Sequence, residues 1–269
     1  MQKIVLLTDF GLDEPYVGQM KGVLAAAAPE ASIIDLCHNV PPFDLIRATF
    51  FLEASRPYYP MDSIFVCVID PGVGSERAAV CLEKFGQKFI APDNGLLSLT
   101  LDADGPATAA LIEPERVAAG AVSNTFHGRD LFAPAAAMLA KGLSTADLGA
   151  PIEPAALIRL KRLRSCLIES PAPRLEAAVL HVDRFGNLIL NVRIGEQPGF
   201  FTSSVDLASP DQLRLRKAAS YAELGPEELG LIAGSQGFYE LSMNRRSAAQ
   251  RLGIDAGDVI AFTPSRNLS

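Results

Sequence analysis

The chain has 269 residues, 49% of them hydrophobic, with a formal net charge of −7. That length supports a sizeable core in one or two domains, and the acidic balance argues against the broad basic surface that nucleic acid selects. No apolar run reaches the roughly 18 residues of a membrane span, and the opening run Ile4–Leu7 stops at Asp9 without a cleavage signal, so a cytoplasmic protein with neither a membrane nor a nucleic-acid partner is expected.

In chain order, Ile4 to Leu7 reads as a short buried strand and Tyr16 to Ala28 as a helix, with Pro15 at a tolerated N-terminal position. Ser32 to Leu36 is a second strand. Ser63 to Ile69 is a third, apolar on both faces, as suits the middle of a parallel sheet covered by helices. Ala78 to Leu82 and Lys88 to Ala91 read as further strands, and Leu131 to Ala140 as an alanine-rich helix. Prolines and the basic cluster Arg159, Lys161, Arg162 and Arg164 mark residues 151 to 174 as a linker. Beyond it come short strands without long helical periods: Ala177 to Val182, Leu188 to Val192, Gln212 to Leu215, Leu229 to Ala233 and Asp258 to Phe262. The fold class is therefore α/β: a mostly parallel α/β sheet domain over residues 1–160 and a β-barrel domain over residues 175–269.

The polar residues have a pattern of position. The strands end in Thr8-Asp9-Phe10-Gly11, in Asp35-Leu36-Cys37-His38-Asn39, in Asp70-Pro71-Gly72-Val73-Gly74 and in Ala91-Pro92-Asp93-Asn94-Gly95. Any one such Asp is as readily a helix cap or an Asx turn. Four endings of one type predict a crevice at the carboxyl ends of the strands, where open α/β sheets bind ligands. Of the three histidines, His181 lies inside an apolar run and reads as structural, whereas His127 stands in a polar cluster before the alanine-rich helix and reads as a site residue. Cys37, Cys67, Cys81 and Cys166 have no C-x-x-C spacing, which disfavours a zinc site or a disulfide framework. Asp183 to Asn187 reads as a hairpin turn, and Ser242 to Ser247 as the approach to a short helix.

Six strings stand in order: L-L-T-D-F-G from Leu6, I-D-P-G-V-G-S-E-R from Ile69, A-P-D-N-G from Ala91, F-H-G-R-D from Phe126, D-R-F-G-N from Asp183 and S-M-N-R-R-S from Ser242. Through them the chain resembles, nearly end to end, the SAM hydroxide adenosyltransferases, relatives of the enzymes that form halogenated deoxyadenosines. The resemblance implies a homotrimer whose sites lie between the N-terminal domain of one subunit and the C-terminal domain of its neighbour. It implies conversion of S-adenosyl-L-methionine (SAM) and water to adenosine and L-methionine, with no cofactor and no metal. Carried over by position, Asp70, Arg77 and His127 are the water-handling set and Asp9 is the ribose-binding carboxylate. The same carry-over implies that Asp183 meets the methionine amine, that Phe185 and Asn187 line the adenosine pocket, that Ser235 lies near the methionine carboxylate, and that the backbone of Asn244 and Arg245 approaches adenine. Phe43 stands where the halogenating relatives carry Trp, and Gln236 where they carry Arg.

The implied chemistry is coherent. Methionine leaves a sulfonium as a neutral thioether, so the burden falls on the nucleophile, and water has a pKa of about 15.7 in bulk. A water positioned against Asp70 and His127, with Arg77 stabilising developing hydroxide, meets that need. Two other enzyme readings stand beside it: a halogenase, which needs an anion pocket instead of a water-handling set, and a phosphohydrolase holding a metal through Asp9, Asp35, Asn94 and His127. A non-catalytic SAM or adenosine sensor is the reading from a different class.

Overall fold

The computed structural model describes residues 1–118, 120–161, 163, 165–197, 200, 201 and 204–264. The chain divides into two compact units, Met1–Leu160 and Lys161–Ser269.

Among the described residues unit 1 carries seven strands: β1 (Lys3–Thr8), β2 (Ser32–Cys37), β3 (Ile64–Val68), β4 (Ala79–Lys84), β5 (Gln87–Pro92), β6 (Ala107–Leu111) and β7 (Pro151–Ile152). They form one sheet in the order β2-β1-β3-β5-β4-β6-β7. The first four in that order are mutually parallel, and β4, β6 and β7 complete the sheet with antiparallel pairings. Alternation along β1 explains the layering. Ile4 and Leu6 face a core with Met20 and Leu24 of helix α1 (Tyr16–Ala27) and with Ala135 and Ala136. Val5 and Leu7 face the other core, with Ala48 and Leu52 of helix α2 (Leu45–Ser55). A strand covered on both faces needs no polar side, which is why β3 is buried at every position.

Helix α2 has no counterpart in the sequence reading. Its start is conventional, with the Asp44 carboxylate accepting from the Arg47 amide at 2.9 Å. What masked it is Glu53 in its interior. That carboxylate is buried yet satisfied by the Arg56 guanidinium and the Thr100 hydroxyl, so a charged residue stands where an amphipathic pattern requires an apolar one. Two short helices follow, α3 (Ser98–Asp102) and α4 (Pro114–Val117). The alanine-rich helix, α5 (Ala133–Ala140), is entered through a π-helical turn at Gly128–Phe132.

Unit 2 carries β8 (Cys166–Ile168), β9 (Arg174–Val182), β10 (Leu188–Arg193), β11 (Ser204–Ser209), β12 (Leu213–Ala218), β13 (Leu229–Ala233), β14 (Phe238–Met243), the short helix α6 (Ala248–Leu252) and β15 (Val259–Pro264). Seven strands close on themselves in the ring β9-β10-β14-β13-β12-β11-β15, the β10–β9 pairing completing it, with β8 outside on β9. The barrel expected from the sequence is therefore present. Closure removes the exposed edges that an open sheet of short strands would present, and Leu175, Val179, Leu190, Leu215, Leu231, Leu241 and Phe262 fill the interior.

Residues 151 to 174, expected to be linker, contribute edge strands at both ends: β7 pairs with β6, and β8 with β9. A strand of two or three residues has too few alternating positions to show in a proline-rich stretch. Arg162 and Arg164 of the basic cluster lie outside the described residues, and Arg159 is tied to Asp102 at 3.3 Å. All four cysteines are free. Among the described residues no helix is long and apolar enough to cross a membrane.

Candidate active site

The predicted crevice exists at the carboxyl end of the unit 1 sheet. It is a cleft of about 750 Å³ whose lining includes Asp9, Phe10, Tyr16, Phe43, Asp70, Phe126 and His127. The loops after β1 and β3 bring Asp9 and Asp70, the stretch after β2 brings Phe43, and the approach to α5 brings His127. Two of the four predicted endings do not line it, Asp35 to Asn39 and Ala91 to Gly95. Asn94 donates to the Ile69 carbonyl at 2.9 Å and Asp93 accepts from the Ile158 amide at 2.9 Å, and neither lines the cleft.

Arg77, which does not itself line the cleft, joins two lining residues that are distant in sequence, Asp70 and His127. Its Nε donates to Asp70 Oδ1 at 2.9 Å and its terminal nitrogen to Asp70 Oδ2, a bidentate pair. The same terminal nitrogen lies 2.7 Å from His127 Nδ1. The Asp70 and Arg77 side chains are only 4% and 9% exposed, and the guanidinium sits 5.4 Å from the Phe132 ring centroid. Gly74 makes this meeting possible. It has a φ of +78°, and a Cβ there would lie 2.3 Å from the Asn124 carbonyl oxygen, so the loop carrying Asp70 and Arg77 packs bare backbone against the segment leading to His127.

The bridge fixes the histidine's chemistry. Guanidinium only donates, so Nδ1 must accept and the single proton of neutral imidazole sits on Nε2. Burial, and after it the Arg77 charge, push the His127 pKa below the ordinary imidazole value. His127 therefore presents an N–H donor to the cleft, while the negative charge of the cluster resides on Asp70.

Asp9 is held differently. Its Oδ2 accepts from the Phe43 amide at 2.9 Å, which secures Phe43 in the left-handed region at φ 66°. Phe43 is 66% exposed, a large apolar face offered to solvent beside a carboxylate. Burial raises the Asp9 pKa, the Phe43 N–H opposes the rise, and the charge of Asp70 adds to it. His38 stays outside the cleft lining. Its Nδ1 is 2.8 Å from Thr8 Oγ1 and its carbonyl accepts from the Gly11 amide at 2.7 Å, so it grips the loop on both sides of Asp9. The tetrad of the phosphohydrolase reading does not assemble: Asp9 and His127 line the cleft but Asp35 and Asn94 do not, and among the described residues no three His, Cys, Asp or Glu side chains are grouped as a metal would need.

The sequence reading missed the aromatic wall. Phe10, Tyr16 and Phe126 touch pairwise with centroids 5.2 to 5.7 Å apart. Phe10 and Phe126 adjoin Asp9 and His127 inside the quoted strings, and that adjacency was the available signal.

A second cleft, about 700 Å³, lies in unit 2 and gathers Asp183, Phe185, Asn187, Ser235, Asn244 and Arg245 together with Tyr221. The five-residue turn between β9 and β10 is built on Asp183, whose carboxylate accepts from the amides of Phe185 and Asn187 at 2.9 Å each and from Asn187 Nδ2 at 2.8 Å. Gly186, at the positive φ of 84°, lets the turn press against Ser247. Phe185 is left 79% exposed, and Asn244 donates to the Leu224 carbonyl at 3.2 Å. The residues named from sequence thus fall into two groups, one in each unit's cleft.

Comparison with known proteins gives this arrangement its context. The family model of the SAM hydroxide adenosyltransferase N-terminal domain matches residues 4–149, and that of the C-terminal domain matches residues 177–261. The chain is 39% identical over 267 residues to the (R)-S-adenosyl-L-methionine hydrolase of Thermus thermophilus, covering 96% of this chain and 98% of that protein. A hydrolase of the same name from Methanocaldococcus jannaschii is 32% identical over 96% of this chain and 94% of that protein. A fluorinase from Nocardia brasiliensis is more distant, at 24% identity over 94% of each. Among solved structures, an uncharacterized conserved protein from Thermotoga maritima superposes with a TM-score of 0.84 at 31% identity, covering 98% of this chain and 100% of that one. With both family domains matched in order along its length, the chain belongs to the SAM hydroxide adenosyltransferase family.

Proposed function

We propose that this protein hydrolyses (R)-S-adenosyl-L-methionine to adenosine and L-methionine by attack of water at C5′ of the ribose. The observation that carries the reading is the Asp70–Arg77–His127 cluster, in which Asp70 and His127 line the cleft and Arg77 bridges them from behind. Water bound there meets an N–H donor from His127 Nε2 and a carboxylate on Asp70. The donor fixes the oxygen, the carboxylate draws off a proton, and Arg77 stabilises the developing negative charge. Asp9 takes the ribose hydroxyls, Phe43 and the aromatic wall take apolar surface, and the unit 2 cleft takes the remainder of the substrate. SAM is the substrate, and no cofactor is needed because the thioether departs uncharged. The hydrolase relatives, at higher identity than the fluorinase, support this reading over halogenation.

The homotrimer and the cytoplasmic location belong to the same proposal. The presence of substrate residues in both units, each matched to its own family domain, supports an assembly, and a monomer by light scattering that is fully active would exclude it. The decisive experiment incubates purified protein with SAM and separates the products. Equimolar adenosine and L-methionine are expected. A halodeoxyadenosine formed in the presence of excess chloride or fluoride would replace hydrolysis with halogenation, and binding without turnover would leave a sensor.

Two further outcomes are expected. Asp9→Asn keeps an acceptor for the Phe43 amide but removes the charge that strengthens bonds to the ribose hydroxyls, so KM for SAM rises about tenfold. Because the fold raises the Asp9 pKa, the folded chain holds that proton more tightly than the unfolded one, and stability is lost as pH rises through the window above the ordinary 3.8. Asp9→Asn therefore melts no lower than wild type at neutral pH; a large fall in Tm would contradict the assignment of its cost to ligand binding. For His127 the sign is reversed. Its folded pKa is lowered, so the unfolded chain protonates first as pH falls below the ordinary 6.5 and stability declines from there downward, whereas turnover holds until the pH falls through the lowered folded-state pKa. An acid limb of kcat lying above the ordinary value would exclude the neutral tautomer.

A further inference from the structure

We infer that Tyr221, backed by the buried carboxylate of Glu240, is a specificity-determining residue of the unit 2 cleft, accepting an N–H from the ammonium group of the substrate's amino-acid half. The inference rests on SAM as substrate and adds a residue pair to its recognition.

Tyr221 opens a 3-10 turn at Tyr221–Glu223 and lines the cleft with Asp183 and Ser235. Its hydroxyl donates to Glu240 Oε1 at 2.5 Å. Glu240 stands on β14 and is 6% exposed. A phenol has one proton, and this one is committed to the interior, so the hydroxyl oxygen can only accept from the cleft side. Tyr221 thus adds a second acceptor to a wall that already carries the Asp183 carboxylate.

The electrostatics select the class of donor. Burial raises the Glu240 pKa, the Tyr221 hydroxyl opposes the rise and the Asp183 charge adds to it, and burial followed by Glu240 raises that of Tyr221. Two carboxylates therefore stand close enough to feel each other. Among the described residues neither takes part in an ion pair: Arg246, on the cleft rim, is engaged by Glu227 at 2.8 Å, and Arg245 pairs with neither acid. A desolvated carboxylate beside another is costly until a cation arrives, and an ammonium with three N–H donors suits a site offering several acceptors. Glu240 is also placed for that end of the substrate. A Cβ on Gly234 would lie 3.2 Å from Glu240 Oε2, so the carboxylate underlies the turn that carries Ser235.

The test is steady-state kinetics with SAM and product inhibition by L-methionine and by adenosine, on wild type, Tyr221→Phe and Glu240→Gln. Tyr221→Phe keeps the ring and removes the acceptor. KM for SAM is expected to rise about tenfold with kcat little changed, as for contacts made equally in ground and transition states. Inhibition by L-methionine should weaken in proportion, and inhibition by adenosine should stay as in wild type. Glu240→Gln keeps an acceptor for Tyr221 and removes the charge, so it should shift KM and methionine inhibition in the same direction while sparing adenosine. Unchanged KM in Tyr221→Phe overturns the inference, as does equal weakening toward adenosine, which would turn the hydroxyl toward the base. A wild-type protein that neither binds nor consumes SAM overturns the substrate reading, a result distinct from these.

Discussion

Asp70→Asn is expected to keep SAM affinity and lose turnover by about 10²- to 10⁴-fold, the usual worth of a positioned proton acceptor. The substitution preserves shape, and the amide oxygen retains one of the two bonds from Arg77. What it removes is the charge that draws a proton from the attacking water. His127 cannot substitute, because its Nδ1 is occupied by Arg77 and its Nε2 already carries a proton. Single-turnover kinetics with enzyme in excess over SAM reads the chemical step directly. A near-normal rate in Asp70→Asn, or affinity lost in proportion to rate, would make Asp70 a substrate anchor.

Arg77→Met is expected to damage both chemistry and fold. The side chains of the Asp70–Arg77 pair are 4% and 9% exposed, and removing one partner of a buried pair leaves the other charge uncompensated, typically at a cost of about 3–5 kcal/mol. For a unit of this size that is a Tm lower by roughly 6–20 °C. Turnover falls as well, because the same guanidinium sets the His127 tautomer. The double variant Asp70→Asn/Arg77→Met should lose less in kcat than the two singles predict together, as for groups serving one step. It should also recover part of the lost Tm, since the stranded carboxylate is gone. Strict additivity in both readouts would show that the two residues act independently.

Much of this protein was legible from its residues alone. Apolar runs of strand length, each stopped by Asp, Asn or Gly, identified the parallel strands and put Asp9 and Asp70 at their carboxyl ends, because a strand buried on both faces excludes polar residues until it emerges. The ordered strings from L-L-T-D-F-G to S-M-N-R-R-S carried the family. Helix α2 was illegible because Glu53 is neutralised by partners that only the folded chain supplies.

The site shows the same division. Which residue types could handle water was readable in the sequence, but the proton positions were not. Arg77 and His127 are 50 residues apart, and only their meeting, through the bare backbone of Gly74 against Asn124, turns the imidazole into a donor and leaves the negative charge to Asp70. Asp93 and Asn94 look equivalent to Asp9 in sequence, yet the fold turns them to main-chain groups outside the cleft that Asp9 lines. Local sequence determines what a side chain can donate or accept; tertiary structure decides which of those valences are already taken, and the ones left over do the chemistry.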